Sequence, residues 1–412
     1  MKMKADEAYQ CGKCGLCLTA CPVYRVTREE TTAPRAKVRL VRSYAEGGLP
    51  ATDRMQDRLQ CCLMCGACTA MCPGGVRHDT LFMRMRDEMG DRRGRSLETR
   101  ALGAILPREN RLRLTARAAR AGTGSLAQRI IGRMRIGNIP LEHFPVPNRR
   151  PFREQVPAVI EADGAPAGTV AYFTGCATHH IFEQTGYAAL KVLRRMGYRI
   201  LLPPGQGCCG LPLLFHGSIA AARDTVRANL GALRSVACDA VLVDCATCGA
   251  ALGHVYPRVA AELGLPADDA RAIAAKVWDM GAFVQERFDD LAPHLAPGGP
   301  QETVISHLPC HLKNHGKGAD RVDALLQALP HVAYRRMADQ EACCGGGGLF
   351  SNEFPAISKQ MVDAKIASAL ASGAQFWATG CPGCRVQLAG NLPRKGLIAV
   401  CHPLEVVARG LP

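Results

Sequence analysis

The sequence predicts an α+β multidomain chain, with a mainly helical N-terminal domain built on clustered cysteines followed by two repeated α/β domains. Three observations predict it. The 412 residues exceed what one small core organises. The 21 cysteines fall nine in residues 1–90, none in 91–165 and twelve in 166–412. The second half also repeats itself at a nearly constant offset. The expected segments are therefore 1–90, 91–165 as a basic helical linker, 166–298 and 299–412.

The first segment carries one pattern twice: Cys11, Cys14, Cys17 and Cys21-Pro22, then Cys62, Cys65, Cys68 and Cys72-Pro73. This is the C-x2-C-x2-C-x3-C-P run of bacterial two-cluster ferredoxins, whose fourth cysteine serves the other cluster. Three thiolates at a step of three sit on one tight loop, and the fourth opens a helix leading away. Carried over, the pattern assigns Cys11, Cys14, Cys17 and Cys72 to one [4Fe-4S] cluster. It assigns Cys62, Cys65, Cys68 and Cys21 to the other. A zinc module is the plain alternative, but zinc motifs pair two knuckles across a longer loop and lack the third cysteine and the trailing Cys-Pro. Cys61, Cys238 and Cys401 have no partners at motif spacing and read as small buried thiols.

In the linker, Asp91 to Arg135 holds twelve Arg and no Lys against Asp91, Glu98 and Glu109, a balance of 12 − 3 = +9 within a chain of net charge +15. RENRLRLTARAARAG reads as one or two short basic helices, and the prolines of NIPLEHFPVPNRRPF keep the next stretch extended. The charge suits a solvated helical surface, a docking face for an acidic partner, or anionic lipid. Leu102, Ile105 and Leu106, with Leu126, Ile130 and Ile131, recur at helical spacing, which supports peripheral contact with the inner face of the cytoplasmic membrane. Nucleic acid is not expected. The stretch has no aromatic residue to stack on a base, and such a role leaves the eight motif cysteines unexplained.

In the second half, Cys176, Cys208-Cys209-Gly210, Cys245 and Cys248 recur as Cys310, Cys343-Cys344-Gly345, Cys381 and Cys384, at offsets of 134, 135 and 136 residues. TVAYFTGC and AVLVDC read as strands, IFEQTGYAALKVLRRMGY and SIAAARDTVRANLGALRSV as helices. That alternation predicts a parallel sheet flanked by helices, with ligands beyond the carboxyl ends of the strands, where Cys176 and Cys245 fall. Neither CCGGGGLF nor any other stretch matches a phosphate-binding loop, and no flavin or nicotinamide motif is visible. The glycines instead suggest close backbone approach to a bulky cofactor. His179, His180, His216, His307, His311 and His315 lie near these cysteines and read as neighbours that tune a site rather than ligands.

The five-cysteine sets resemble the CCG domains of heterodisulfide reductase. That resemblance implies one or two further iron–sulfur clusters, or zinc, at Cys176, Cys208, Cys209, Cys245 and Cys248 and at Cys310, Cys343, Cys344, Cys381 and Cys384. Taken whole, with ACPVYRVTREETTAPRAKVRLV after the first ferredoxin motif and CPGGVRHDTL in the second, the chain resembles the iron–sulfur subunit of glycolate oxidase and its D-lactate dehydrogenase relatives. The layout is also similar to the iron–sulfur subunit of anaerobic glycerol-3-phosphate dehydrogenase. One departure is HLPCHL, where many CCG proteins carry an acidic residue before the Pro-Cys.

The resemblance implies an electron-transfer subunit of a glycolate or D-lactate dehydrogenase complex. A separate FAD subunit oxidises the 2-hydroxy acid, and electrons pass on to quinone or another carrier. No catalytic residue is then expected in this chain. The competing expectation is a heterodisulfide or quinone reductase working through its own CCG sites. Cysteine usage, the absence of an apolar leader in MKMKADEAYQ and the absence of any run near the ~20 apolar residues of a membrane span suggest a cytoplasmic location.

Overall fold

The computed structural model describes residues 6–122 and 134–412. After a short hairpin of β1 (Arg135–Ile136) and β2 (Ile139–Pro140), two separate sheets form. The first contains β3 (Val159–Ile160), β4 (Gly168–Phe173), β5 (Tyr198–Leu201), β6 (Ala240–Val243) and β7 (Val277–Asp279), in the order β3-β5-β4-β6-β7. The second contains β8 (Glu302–His307), β9 (Val332–Tyr334), β10 (Phe376–Thr379) and β11 (Ala399–Cys401), in the order β11-β10-β8-β9. Pairing is parallel throughout except where β3 joins the edge beside β5.

Without β3 the two sheets share one topology, as the sequence repeat requires. In both, the chain leaves the first strand for one neighbour and later returns to pair on its other side, between β4 and β6 and between β8 and β10. That reversal opens a crevice at the carboxyl ends of those strands. Cys176 and Cys245 follow β4 and β6, and Cys310 and Cys381 follow β8 and β10, so the crevice of each sheet receives cysteines from both sides. The central strands are short apolar runs, with Val170, Ala171, Tyr172 and Phe173 and the whole of Ala240–Val243 buried. Helices Glu183–Arg195, Ile219–Arg234 and Pro355–Ala371 supply the covering layers.

The N-terminal cysteine motifs lie among short helices. Pro22 occupies the first turn of Pro22–Thr27, and the Cys21 sulfur caps it by accepting from the Tyr24 N–H at 3.4 Å. The second motif differs from the expectation. No helix starts at Cys72-Pro73, because Gly74 and Gly75, the latter at φ 69°, turn the chain first, and the next helix is His78–Arg93. That helix is buried almost all round, and its apolar residues share one core with Leu211, Leu213 and Leu214 of the first CCG repeat. The contact is close: a Cβ on Gly217 would lie 2.5 Å from the Arg86 carbonyl carbon.

Segment 91–165 contains helices Leu97–Ile105 and Glu109–Ala121, and also the edge strand β3. Leu102 and Leu106 pack against the shared core, so the outward large apolar residues of these two helices are Leu97 and Leu114. Leu126, Ile130 and Ile131 lie outside the described residues. Among the described residues no helix is long and apolar enough to cross a membrane.

Two buried carboxyls give the fold a pH signature. Asp279 caps helix Met280–Glu286 by accepting from the Ala282 N–H at 3.1 Å, and burial pushes its carboxyl up to about 6. Buried Asp244, bonded by the Tyr172 and Thr178 hydroxyls, is pushed up to about 6 as well. A carboxyl raised above its unfolded value binds its proton more tightly in the folded state, so the stability these two groups contribute is fullest below about pH 4. It falls as pH rises toward 6 and is level above that. Asp279→Asn keeps a cap, so denaturant titrations are expected to show it about 2 kcal/mol more stable at pH 7.5 and with a shallower slope between pH 4 and 6.

Candidate functional site

The N-terminal motifs form two sulfur sets. Cys21, Cys61, Cys62, Cys65 and Cys68 line one small pocket together with Pro22 and Gly66. Burial, then the nearby Cys65, Cys62 and Cys21, hold the Cys68 thiol well above its usual range. The other set is nearer the surface. Cys14 is exposed, and Cys17 is pushed up to about 11 chiefly by burial, with further contributions from Cys11 and Cys14. The chain after Cys72 returns to this side, for a Cβ on Gly74 would lie 2.9 Å from the Gln10 carbonyl oxygen. Cys61, 3% exposed, faces the buried pocket as a fifth sulfur, while Cys238 and Cys401 line neither this pocket nor the cavity described next.

The ten cysteines of the two pentads line a single cavity of about 710 Å³. Within each pentad the second cysteine of the CC pair is favoured as thiolate, and in the second pentad Cys381 is also held well below its usual range, by donors on Cys245 and Cys384. Cys209 is held low by donors on Cys208 and Cys248, and Cys344 is brought down to about 5 by Cys343 and Cys384. The Cys344 and Cys384 sulfurs are 3.2 Å apart. The first cysteines of the two CxxC pairs meet across the boundary between repeats, where Cys245 bonds Cys381 and the Ala246 N–H donates to the Gly380 carbonyl at 2.8 Å. Five converging sulfurs are more than any hydrogen-bond network needs, and soft thiolate donors select iron–sulfur clusters or zinc.

Two family models match the chain: a 4Fe-4S dicluster domain over residues 7–76, and a cysteine-rich domain over residues 170–253 and again over 304–389. The probable glycolate oxidase iron-sulfur subunit of Bacillus subtilis is 28% identical over 96% of this chain and 91% of its own length. The glycolate oxidase iron-sulfur subunit of Escherichia coli is 28% identical over 99% of this chain and 96% of its own. One subunit of the CoM/CoB fumarate reductase of Methanothermobacter marburgensis is 27% identical over 96% of this chain and 71% of its own. The chain carries a 4Fe-4S dicluster domain followed by two cysteine-rich domains, and over nearly its whole length it is similar to glycolate oxidase iron–sulfur subunits. It is an iron–sulfur protein, and its role is electron transfer within an oxidoreductase complex.

In this iron–sulfur subunit, helix Cys310–His315 ties the buried N-terminal set to the second pentad. The His311 Nε2 lies 3.3 Å from the Met64 carbonyl, and the Asn314 amide donates to the Cys65 carbonyl at 2.8 Å. Burial and then Cys310 raise the Cys65 thiol, and Cys65 in turn acts on Cys343. Gly346, Gly347 and Gly348 of CCGGGGLF line the cysteine cavity, and two of them also approach protein closely. A Cβ on Gly347 would lie 2.4 Å from Leu63 Cδ2, and one on Gly348 would lie 2.8 Å from His216 Nε2.

The histidines separate by place. His216 and His311 line the cavity, and His216 accepts from the Leu349 N–H at 3.2 Å. His307 donates from Nδ1 to the Gln340 carbonyl at 3.2 Å and stands beside Cys344 and Cys384. His179 and His180 bond Glu109 at 3.2 and 2.8 Å, latching the linker helix onto the first repeat. The linker also walls the cavity through Ile136, Ile139 and Phe144.

Arg86 was not legible as a functional residue. It is 2% exposed and donates to the carbonyls of Leu59, Gln60, Cys62 and Phe215 at 2.6–3.1 Å. One guanidinium thus holds the loop entering the second motif against the first CCG repeat. The available signal was an arginine inside the apolar run LFMRMRDEM.

Proposed function

We propose that this chain takes electrons from a partner FAD subunit that oxidises a 2-hydroxy acid, glycolate or D-lactate, and hands them to quinone or another carrier. The observation carrying the proposal is the placement of the cysteine sets. Cys11, Cys14, Cys17 and Cys72 lie toward the surface, Cys62, Cys65, Cys68 and Cys21 lie deeper, and Cys65 adjoins the second pentad, which shares its cavity with the first. These eight thiols suit two [4Fe-4S] clusters, and the pentads suit further clusters. Bound clusters supply acceptance and release of one electron at a time. The residues around them fix the loops that carry the cysteines.

The relatives named for glycolate oxidase support the substrate class. The outward Leu97 and Leu114 on Arg-rich helices support peripheral contact with the cytoplasmic membrane face, and salt-sensitive co-sedimentation with anionic vesicles is the expected result.

The test mixes the anaerobic holoprotein with glycolate or D-lactate, with and without the flavoprotein subunit. Visible bleaching of the clusters is expected only when the flavoprotein is present. Substrate-driven bleaching of this chain alone, or disulfide reduction by this chain alone, overturns the reading.

A further inference from the structure

Three side chains from three parts of the fold converge beside the Cys65–Cys68 loop, where Asp79 also lines the pocket of the buried N-terminal cysteines. Asp79 comes from helix His78–Arg93 in the N-terminal domain, His254 from the first CCG repeat and His315 from the end of helix Cys310–His315 in the second. One ligating atom from each lies within 4.8 Å of the others. His254 Nε2 and Asp79 Oδ2 are 3.0 Å apart, close to the ~3.3 Å between neighbouring donors of a tetrahedral site with bonds near 2.0–2.1 Å.

His315 is the decisive member. Among the described residues neither of its ring nitrogens has a hydrogen-bond partner, and both are shielded from solvent. Its ring centroid lies 4.0 Å from that of His254. It is seated by Gly66, at φ 77°, where a Cβ would fall 2.0 Å from His315 Nε2. His254 rides on a widened turn, Ala251–Val255, which Pro257 favours because it has no N–H to close onto Gly253. Asp79 is oriented by Thr69 at 3.3 Å and touched at 3.4 Å by Arg258, whose side chain is 27% exposed.

Two imidazoles and one carboxylate are a donor set for zinc or iron(II), with remaining positions for water. A hydrogen-bonded cluster alone satisfies Asp79 and His254 but leaves His315 with two buried unpaired nitrogens, a desolvation cost that a bound cation removes at the ligating one. We propose that Asp79, His254 and His315 bind one divalent cation of the zinc class, which pins the N-terminal domain to both CCG repeats beside the Cys65–Cys68 loop. The site adjoins the buried N-terminal cysteines but uses none of them as a ligand, and it is independent of which substrate the complex oxidises.

The probe is zinc alone. Anaerobic holoprotein is equilibrated with one equivalent of Zn2+, desalted, and examined by metal analysis and zinc X-ray absorption. The expected result is about one zinc per chain, with nitrogen and oxygen scatterers near 2.0–2.1 Å and no sulfur near 2.3 Å. His254→Ala and Asp79→Asn should each lose that zinc while iron and labile sulfide stay unchanged, and zinc should raise the melting temperature of the parent only. No retained zinc, sulfur-ligated zinc, or equal retention by the parent and both variants overturns the site. The parent spectrum decides the matter even if a variant folds poorly.

Discussion

The Cys21→Ala protein is expected to lose the iron–sulfur signal that depends on Cys62, Cys65 and Cys68, and to keep the one that depends on Cys11, Cys14 and Cys17. The reason is spatial. Cys21 lies 41 residues before Cys62, yet its sulfur faces the Cys62–Cys68 pocket while the loop of its own motif stays near the surface. Alanine forfeits only a weak sulfur cap on helix Pro22–Thr27, so the backbone should persist. Iron should fall by about four per chain, the content of one cubane. In the dithionite-reduced protein, electron paramagnetic resonance should show one of the two ferredoxin-type centres lost. Cys65→Ala should remove the same signal as Cys21→Ala, and Cys14→Ala the other. Loss of the same signal in Cys21→Ala and Cys14→Ala would mean that each motif keeps its own fourth cysteine.

Arg86→Ala should be the most destabilising single change outside the cysteines. The guanidinium satisfies four carbonyls from two domains in a site that water does not reach. Each acceptor left buried and unpaired costs about 1–3 kcal/mol, and water entering the vacated space recovers part of it. A net loss of about 3–5 kcal/mol follows, read as a lowered denaturant midpoint. Because the bonds span the Cys61-Cys62 loop and the first CCG repeat, limited proteolysis should also cut the variant between them faster than the parent. An unchanged midpoint would show that the carbonyls find other partners.

What was legible in the sequence is what lies close along the chain. Cysteine spacing announced both motif types, and offsets of 134–136 residues announced a duplicated α/β unit, because local ligand loops and strand–helix periods leave a local trace. Contacts between units leave none. That the two pentads face one cavity depends on how the repeats turn toward each other, fixed by contacts such as Ala246 to Gly380. Asp79 and His254 meet across 175 residues, with no motif to link them. Gly347 and Gly348 signalled a close approach, but not that they would also pack on Leu63 and His216 while lining the cysteine cavity. Cys72-Pro73 looked identical to Cys21-Pro22, yet the Gly74-Gly75 pair, which favours a turn, cancelled the helix.

Whether the pentads join the ferredoxin motifs as cofactor sites is decided by iron and acid-labile sulfide per chain, measured on anaerobically purified protein. About 12 to 16 irons with matching sulfide are expected, from two [4Fe-4S] clusters plus those at the pentads. About 8 irons, with the pentad thiols freely alkylated, would contradict a cofactor role for the pentads and leave the large cavity without a redox function.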